Sequence, residues 1–280
     1  MPSPMIAPFS WHHLNHWDLS PLALILLALA AALYYRGVRL HSTPWSRARS
    51  LCFGLGLVVT FLATQTFIGT YDMEYFSDHM VQHLMLIMVA APLFALGAPL
   101  DLAYDSGTAA IRRFLDGRAM TTITHPLFAF ALYFAFIPLT HLTGFMNLMM
   151  AHMWIHHLEQ IGFLVVGYLF FRPAFGLERG YQLHPGLRLV YVMAAVPVDT
   201  FTGLVLSMSS HVPFSNYAMM APPGTSRAWQ LSDIKMGGGI MWIGGDALML
   251  IALIPMALIW VRWETQRTRE LDAILDAQGI

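Results

Sequence analysis

Apolar residues along the chain gather into seven runs, at about 20–35, 48–69, 77–96, 125–141, 151–171, 187–209 and 238–261, separated by polar connectors. As helices rising about 1.5 Å per residue, runs of this kind cross a hydrocarbon layer of about 30 Å; the first and fourth are the shortest. The pattern predicts an all-α, polytopic membrane bundle of seven transmembrane helices. Residues 1–19 are expected to form an interfacial segment, 20–262 the membrane domain, and 263–280 a tail. No repeat of 20–50 residues is visible. The tail alternates charged and apolar residues in ETQRTRELDAILDA and reads as a short helix leaving the membrane.

Basic residues orient the bundle. Thirteen of the fifteen lie in alternate connectors: Arg36, Arg39, Arg47 and Arg49; Arg112, Arg113 and Arg118; Arg172, Arg179 and Arg188; Arg262, Arg267 and Arg269. The opposite side has Arg227 and Lys235. The positive-inside rule then puts the N-terminus outside and the C-terminus in the cytoplasm. The first eighteen residues carry no basic n-region, and arginines follow the first run, so that run is expected to remain as a span.

Composition agrees with the pattern. The chain is 57% hydrophobic and 11% charged, against about 25% charged in soluble domains. A net charge of −1 gives no electrostatic case for nucleic acid. Cys52 is the lone cysteine, which excludes an internal disulfide, a thiolate metal cluster and a CxxC pair. Methionine (19) and histidine (13) are abundant instead. Thioether and imidazole together suit copper.

The histidines are unevenly placed. Only His41, His125 and His184 fall on the arginine-bearing side; His12, His13, His16, His79, His83, His141, His152, His156, His157 and His211 fall on the other. Within the third run, His79 and His83 are four apart and share a helix face. In the fifth, AHMWIHHLEQ gives His152 and His156 the same spacing. Two spans thereby present four imidazoles at similar depth, enough for one metal ion. His157 points about 100° away from that stripe. Glu159, Asp199 and Asp246 lie about 12–15 Å below the outer ends of their spans. They are candidates for orienting the imidazoles or carrying protons, or for gluing helices together. Pro197 is expected to loosen the helix before Asp199. In the longest outer loop, His211, Met219 and Met220 are candidate transfer ligands for a metal from a periplasmic donor. Trp11 and Trp17 flank His12, His13 and His16 as belt residues of an interfacial anchor.

Four stretches, HMVQHLMLIMVAAPLFALGAPL (79–100), GFLVVGYLFFRPAFG (162–176), VPVDTFTGLVLSMSS (196–210) and DIKMGGGIMWIGGDAL (233–248), together resemble the polytopic CtaG family of cytochrome c oxidase assembly proteins. This family is distinct from the single-span copper chaperone of the same name. The resemblance covers residues 20–262 and implies a seven-span protein that helps build a terminal oxidase at its copper centres. It places His79 and His83 in the family's histidine pair, and Asp233, Trp242 and Asp246 in its last-span motif. The family pattern has a histidine near the position of Asp199; the acid here argues against an imidazole-only site. The expected function is binding copper outside the bilayer and delivering it to an oxidase subunit, without enzymatic turnover. Two alternatives stand beside it. One is a cation transporter using the mid-membrane acids. The other is a membrane di-iron hydroxylase or desaturase, whose histidine boxes HxxxH and HxxxHH imitate, although here on the side away from reductant.

Overall fold

A computed structural model describes residues 13–278, with His13, Leu271 and Ala273 described by backbone alone. Seven long helices follow one another: α1 (Pro21–Leu40), α2 (Arg47–Gln65, resuming after a break at Thr66 as Phe67–Tyr71), α3 (Phe76–Ser106), α4 (Pro126–Leu142), α5 (Met153–Phe175), α6 (Pro185–Ser207) and α7 (Arg227–Gln278). Six are long and apolar enough to cross a membrane alone; α4 does so only together with Phe145–Ala151, from which it is bent by 68°. The chain is a multi-pass membrane protein of all-helical architecture. Trp11, His12 and the side chain of His13 lie outside the described residues.

Successive helices alternate in direction, so α3 and α5 run parallel. Both start at the end that carries the histidines and finish at the end that carries the arginines. They are the most buried of the seven, whereas α1 turns Leu22, Ile25, Leu29 and Leu33 outward. One hydrophobic core joins α3 to α7, and a smaller cluster of Tyr34, Phe53 and Leu102 attaches α1 and α2 to the far end of α3.

Local irregularities in α3 have a sequence cause. Its helix widens into a π turn at Met85–Ala90, just ahead of Pro92. Proline lacks an N–H and its ring crowds the carbonyl four residues back, so the helix opens there. α5 makes a close approach at this widened turn and the residue after it. A Cβ on Gly167 would stand 2.8 Å from Ile87 and from Ala91. Small residues permit such backbone approach in lipid.

At the arginine end, Arg172 and Glu178 form a buried pair at 2.8 Å. Glu178 also accepts from Tyr168 Oη at 2.7 Å and from the Leu100 amide at 3.0 Å. Burial pushes the Glu178 carboxyl up, and these donors pull it back. Arg179 reaches Asp101 and Asp105 beside it.

Three expected boundaries move. α5 begins at Met153, because His152 takes an extended conformation (φ −140°, ψ 103°) as the chain turns from the bent segment 145–151 into the next span. α6 breaks at Ala194–Ala195, and Pro197 opens its second half as an early helical position rather than loosening a continuous helix. α7 starts at Arg227, well inside the expected loop, and its last turns run on without interruption into the expected tail as far as Gln278.

Gly203 and Gly238 pack α6 against α7: a Cβ on Gly238 would meet Gly203 O, Ser207 N and Ser207 Oγ, each at 2.7 Å. Backbone cannot give way as a side-chain tip can. Gly238→Val is therefore expected to destabilise the bundle by about 1–3 kcal/mol, read as a lower Tm of the detergent-solubilised protein. An unchanged Tm would refute this close crossing.

Candidate metal centre

The start of α3 is held by a residue from another helix. Tyr75 offers no side-chain cap. Asp233 of α7 takes its place, accepting from the Phe76 amide at 2.6 Å, the Ser77 amide at 3.3 Å and Ser77 Oγ at 2.6 Å. A carboxylate here satisfies the open amides and complements the helix dipole. Tyr217 Oη, from the connector between α6 and α7, donates to the same carboxylate. This clamp fixes the rotation of the turn that carries His79 and His83.

Both histidines are buried, as are His156 and Glu159 on α5 and Asp72 just beyond α2. His79 Nε2 lies 3.7 Å from Glu159 Oε2, and His83 Nε2 lies 3.8 Å from the same oxygen. His156 Nε2 lies 3.1 Å from Asp72 Oδ2. The ring centroids of His79 and His83 are 4.1 Å apart, and those of His79 and His156 are 5.7 Å apart. Two groups of ligand atoms, each within 4.8 Å of one another, result: Asp72–His79–His156 and His79–His83–Glu159. These buried clusters can hold a metal ion.

Hydrogen bonding sets the tautomer of His83. His141 Nδ1 lies 2.9 Å from the Ile137 carbonyl, which carries no proton, so Nδ1–H donates. His141 Nε2 is then the acceptor for His83 Nδ1–H at 3.2 Å. That leaves the lone pair of His83 on Nε2, facing Glu159. A ligating imidazole usually has its far nitrogen fixed by a partner in this manner. His83 also stacks on Phe163 at 3.8 Å, which locks the ring plane.

Inside the cluster several atoms have no hydrogen-bond partner: both nitrogens of His79, Nε2 of His83, Nδ1 of His156 and both oxygens of Glu159. Leaving a buried donor or acceptor unsatisfied costs roughly 1–3 kcal/mol apiece. A cation between these atoms would supply the missing partner, so the donor set fits a metal ion. Imidazole with carboxylate suits copper, zinc, iron and nickel.

Asp72 is tied in by Gln82 Nε2 at 2.6 Å, which also donates to the Ala63 carbonyl at 3.0 Å. Gln160 Nε2 donates to Gln82 Oε1 at 3.2 Å. The N-terminal segment rests beside this end: His16 bonds Tyr71 Oη, and Trp17 meets Phe61 edge-on.

The structure therefore brings His79 together with His156 and Asp72 on one side and with His83 and Glu159 on the other. His152 is not part of the cluster: it caps α5 in an extended conformation and is exposed, so its side chain does not share the buried face of His156. Asp199 and Asp246 lie apart from Glu159. Tyr133 Oη donates to Asp199 at 2.6 Å, and Thr200 Oγ1 donates to Asp246 at 2.9 Å. A cavity of about 10 Å³ separates Asp199 from His83 and His141, room for about one water. Met219 is exposed, Met220 is half-buried and His211 is exposed, all on the connector before α7. Asp72, His141, Gln82 and Gln160 were not assigned from sequence. A carboxylate a few residues before a histidine pair, and a histidine in the last turn of a neighbouring span, were the available signals.

Residues 32–263 match the family described as cytochrome c oxidase caa3 assembly factor (CtaG). An uncharacterized protein of Mycobacterium bovis is 27% identical over 267 residues, covering 90% of this chain and 40% of the relative. One of Mycobacterium tuberculosis gives the same figures. One of Mycobacterium leprae is 26% identical over 254 residues, with coverage of 85% and 38%. The chain thus spans about 40% of the length of curated relatives it matches. No solved structure matches it.

His141→Leu keeps most of the volume but removes the acceptor that fixes His83. Loss of such an outer partner is expected to weaken metal binding about 10–100-fold, measured by competition with a chelator. Unaltered affinity would mean that His141 does not orient the ligand.

Proposed function

The chain belongs to the cytochrome c oxidase caa3 assembly factor (CtaG) family, and we propose that it binds copper in the buried cluster and delivers it to an oxidase subunit. One observation carries this reading: the partnerless buried polar atoms of His79, His83, His156 and Glu159 belong to two ligand groups that share His79. The ligand set proposed is His79, His83 and His156, with Glu159 and Asp72 as oxygen donors. Copper is favoured for two reasons. Among divalent first-row ions, Cu(II) binds nitrogen and oxygen donors most tightly. Cu(I) prefers thioethers, and Met73, Met80, Met146, Met149 and Met150 are buried in the same core.

In this reading the histidine end faces out of a bacterial inner membrane, with the arginines and the C-terminal tail in the cytoplasm, as the charge bias favours. Copper enters from a periplasmic donor and leaves by ligand exchange. Met219 and Met220 are the candidates for that exchange; they lie on the segment whose Tyr217 bonds Asp233, the residue that caps α3. His211 on the same connector is the third transfer candidate. Asp199 and Asp246 are helix-bridging groups or a proton reserve rather than ligands. The protein acts as a carrier, without a catalytic cycle.

Delivery is favoured over transport by what lies deeper. Phe170 is eleven residues beyond Glu159 on α5, roughly 16 Å further in. It stacks between Tyr133 and Tyr191, and the pair Arg172–Glu178 follows it. These packed rings and this closed ion pair fill the bundle interior below the cluster.

The test is the copper content of the purified protein. His79→Ala combined with His83→Ala is expected to abolish bound copper and to lower assembly of active oxidase in cells. Unchanged copper content in the double variant would remove the site; copper lost with oxidase fully active would remove the delivery role.

A further inference from the structure

His79 differs from its neighbour. His83 has one nitrogen fixed by His141 and the other free for a ligand. His79 is buried to the same degree, yet neither of its nitrogens has a partner. A neutral imidazole ligating one ion through one nitrogen would leave an N–H buried and unanswered on the other.

The ligand atoms around it also divide in two. Metal–nitrogen and metal–oxygen bonds of about 2.0–2.1 Å keep any two ligands of one ion within about 4.2 Å. The five residues do not close into one mutually close group; they form Asp72–His79–His156 and His79–His83–Glu159, with His79 common to both. Depth separates the groups as well. On α3, His83 is one turn below His79, about 6 Å along the axis. On the parallel α5, Glu159 lies about 4.5 Å below His156. Each group has one carboxylate to offset the charge of an ion buried there.

We propose that the cluster holds two metal ions, stacked along the bundle axis and bridged by His79. The outer ion is held by Asp72, His156 and one nitrogen of His79; the inner ion is held by His83, Glu159 and the other nitrogen. The ring proton of His79 leaves to the medium as the second ion binds. The pair makes a two-step ladder, in which the outer position exchanges with donor and acceptor while the inner one is retained. This rests on the cluster being a metal site.

The test is loading of the detergent-solubilised full chain with Cu(II), followed by copper analysis and electron paramagnetic resonance. The wild type is expected to hold two copper ions per chain. Coupling through the shared imidazole should bring its spin count well below its copper content. Asp72→Asn, near-isosteric, should hold one ion with its full spin, and so should Glu159→Gln. One ion in the wild type, or two with full uncoupled spin, would overturn the bridge and leave the copper-binding reading intact. No bound copper in a folded, monodisperse wild type would overturn both.

Discussion

His79, His83, His156 and Glu159 place unpartnered nitrogen and oxygen atoms inside an apolar bundle. In such an interior each unsatisfied group costs roughly 1–3 kcal/mol. The surrounding structure must hold these groups in place against that cost. The clamp at Asp233 stops the first turn of α3 from rotating its histidines away. The close approach at Gly167 presses α5 onto the π turn immediately below them. Phe163 and His141 fix the plane and tautomer of His83. Remove these supports and the polar groups would turn toward one another or toward the surface.

The bundle separates its two kinds of polarity by end. At the arginine end, charge is answered locally: Arg172 meets Glu178, and Arg179 meets Asp101 and Asp105. Those contacts close the structure. At the histidine end the groups are arranged around a gap in their bonding, which is the usual condition for binding something from outside the chain. Satisfied polar groups rigidify a fold, whereas unsatisfied ones invite a ligand. The parallel course of α3 and α5 is what allows one end to collect two sets of ligands at matching depths.

Much of this was legible from sequence. The seven apolar runs correspond to the seven helical units because hydrophobic length is a strong signal in lipid. The pair His79 and His83 lies on one continuous helix, so its spacing translated directly into geometry. His152 and His156 show the limit of the same rule. Their spacing is identical, but the helix begins between them, and with one extended residue at a turn the two side chains do not share a buried face. Asp72 and His141 were harder to assign, since each reaches the cluster from a different helix and neither shares a motif with it. Asp233 was flagged only as part of a resemblance, and its structural meaning as the cap of α3 came from long-range contacts that no local pattern encodes.

The three intramembrane acids make the sharpest distinction. Glu159, Asp199 and Asp246 looked equivalent by depth. Asp199 has the hydroxyl of Tyr133 and Asp246 has that of Thr200, and each bond is formed within the protein. Glu159 has no such donor; the groups nearest its oxygens are the two imidazole nitrogens His79 Nε2 and His83 Nε2, at 3.7 and 3.8 Å. Those separations are too long for hydrogen bonds but suit donors that share one ion. What sets Glu159 apart from the two helix-bridging acids is therefore the absence of a neighbouring hydroxyl. That absence is a property of packing on α5 rather than of the acid or its depth. Placing a Tyr or Thr beside Glu159 would have turned the cluster into another internal bridge, and leaving it bare is what leaves the cluster able to hold a metal.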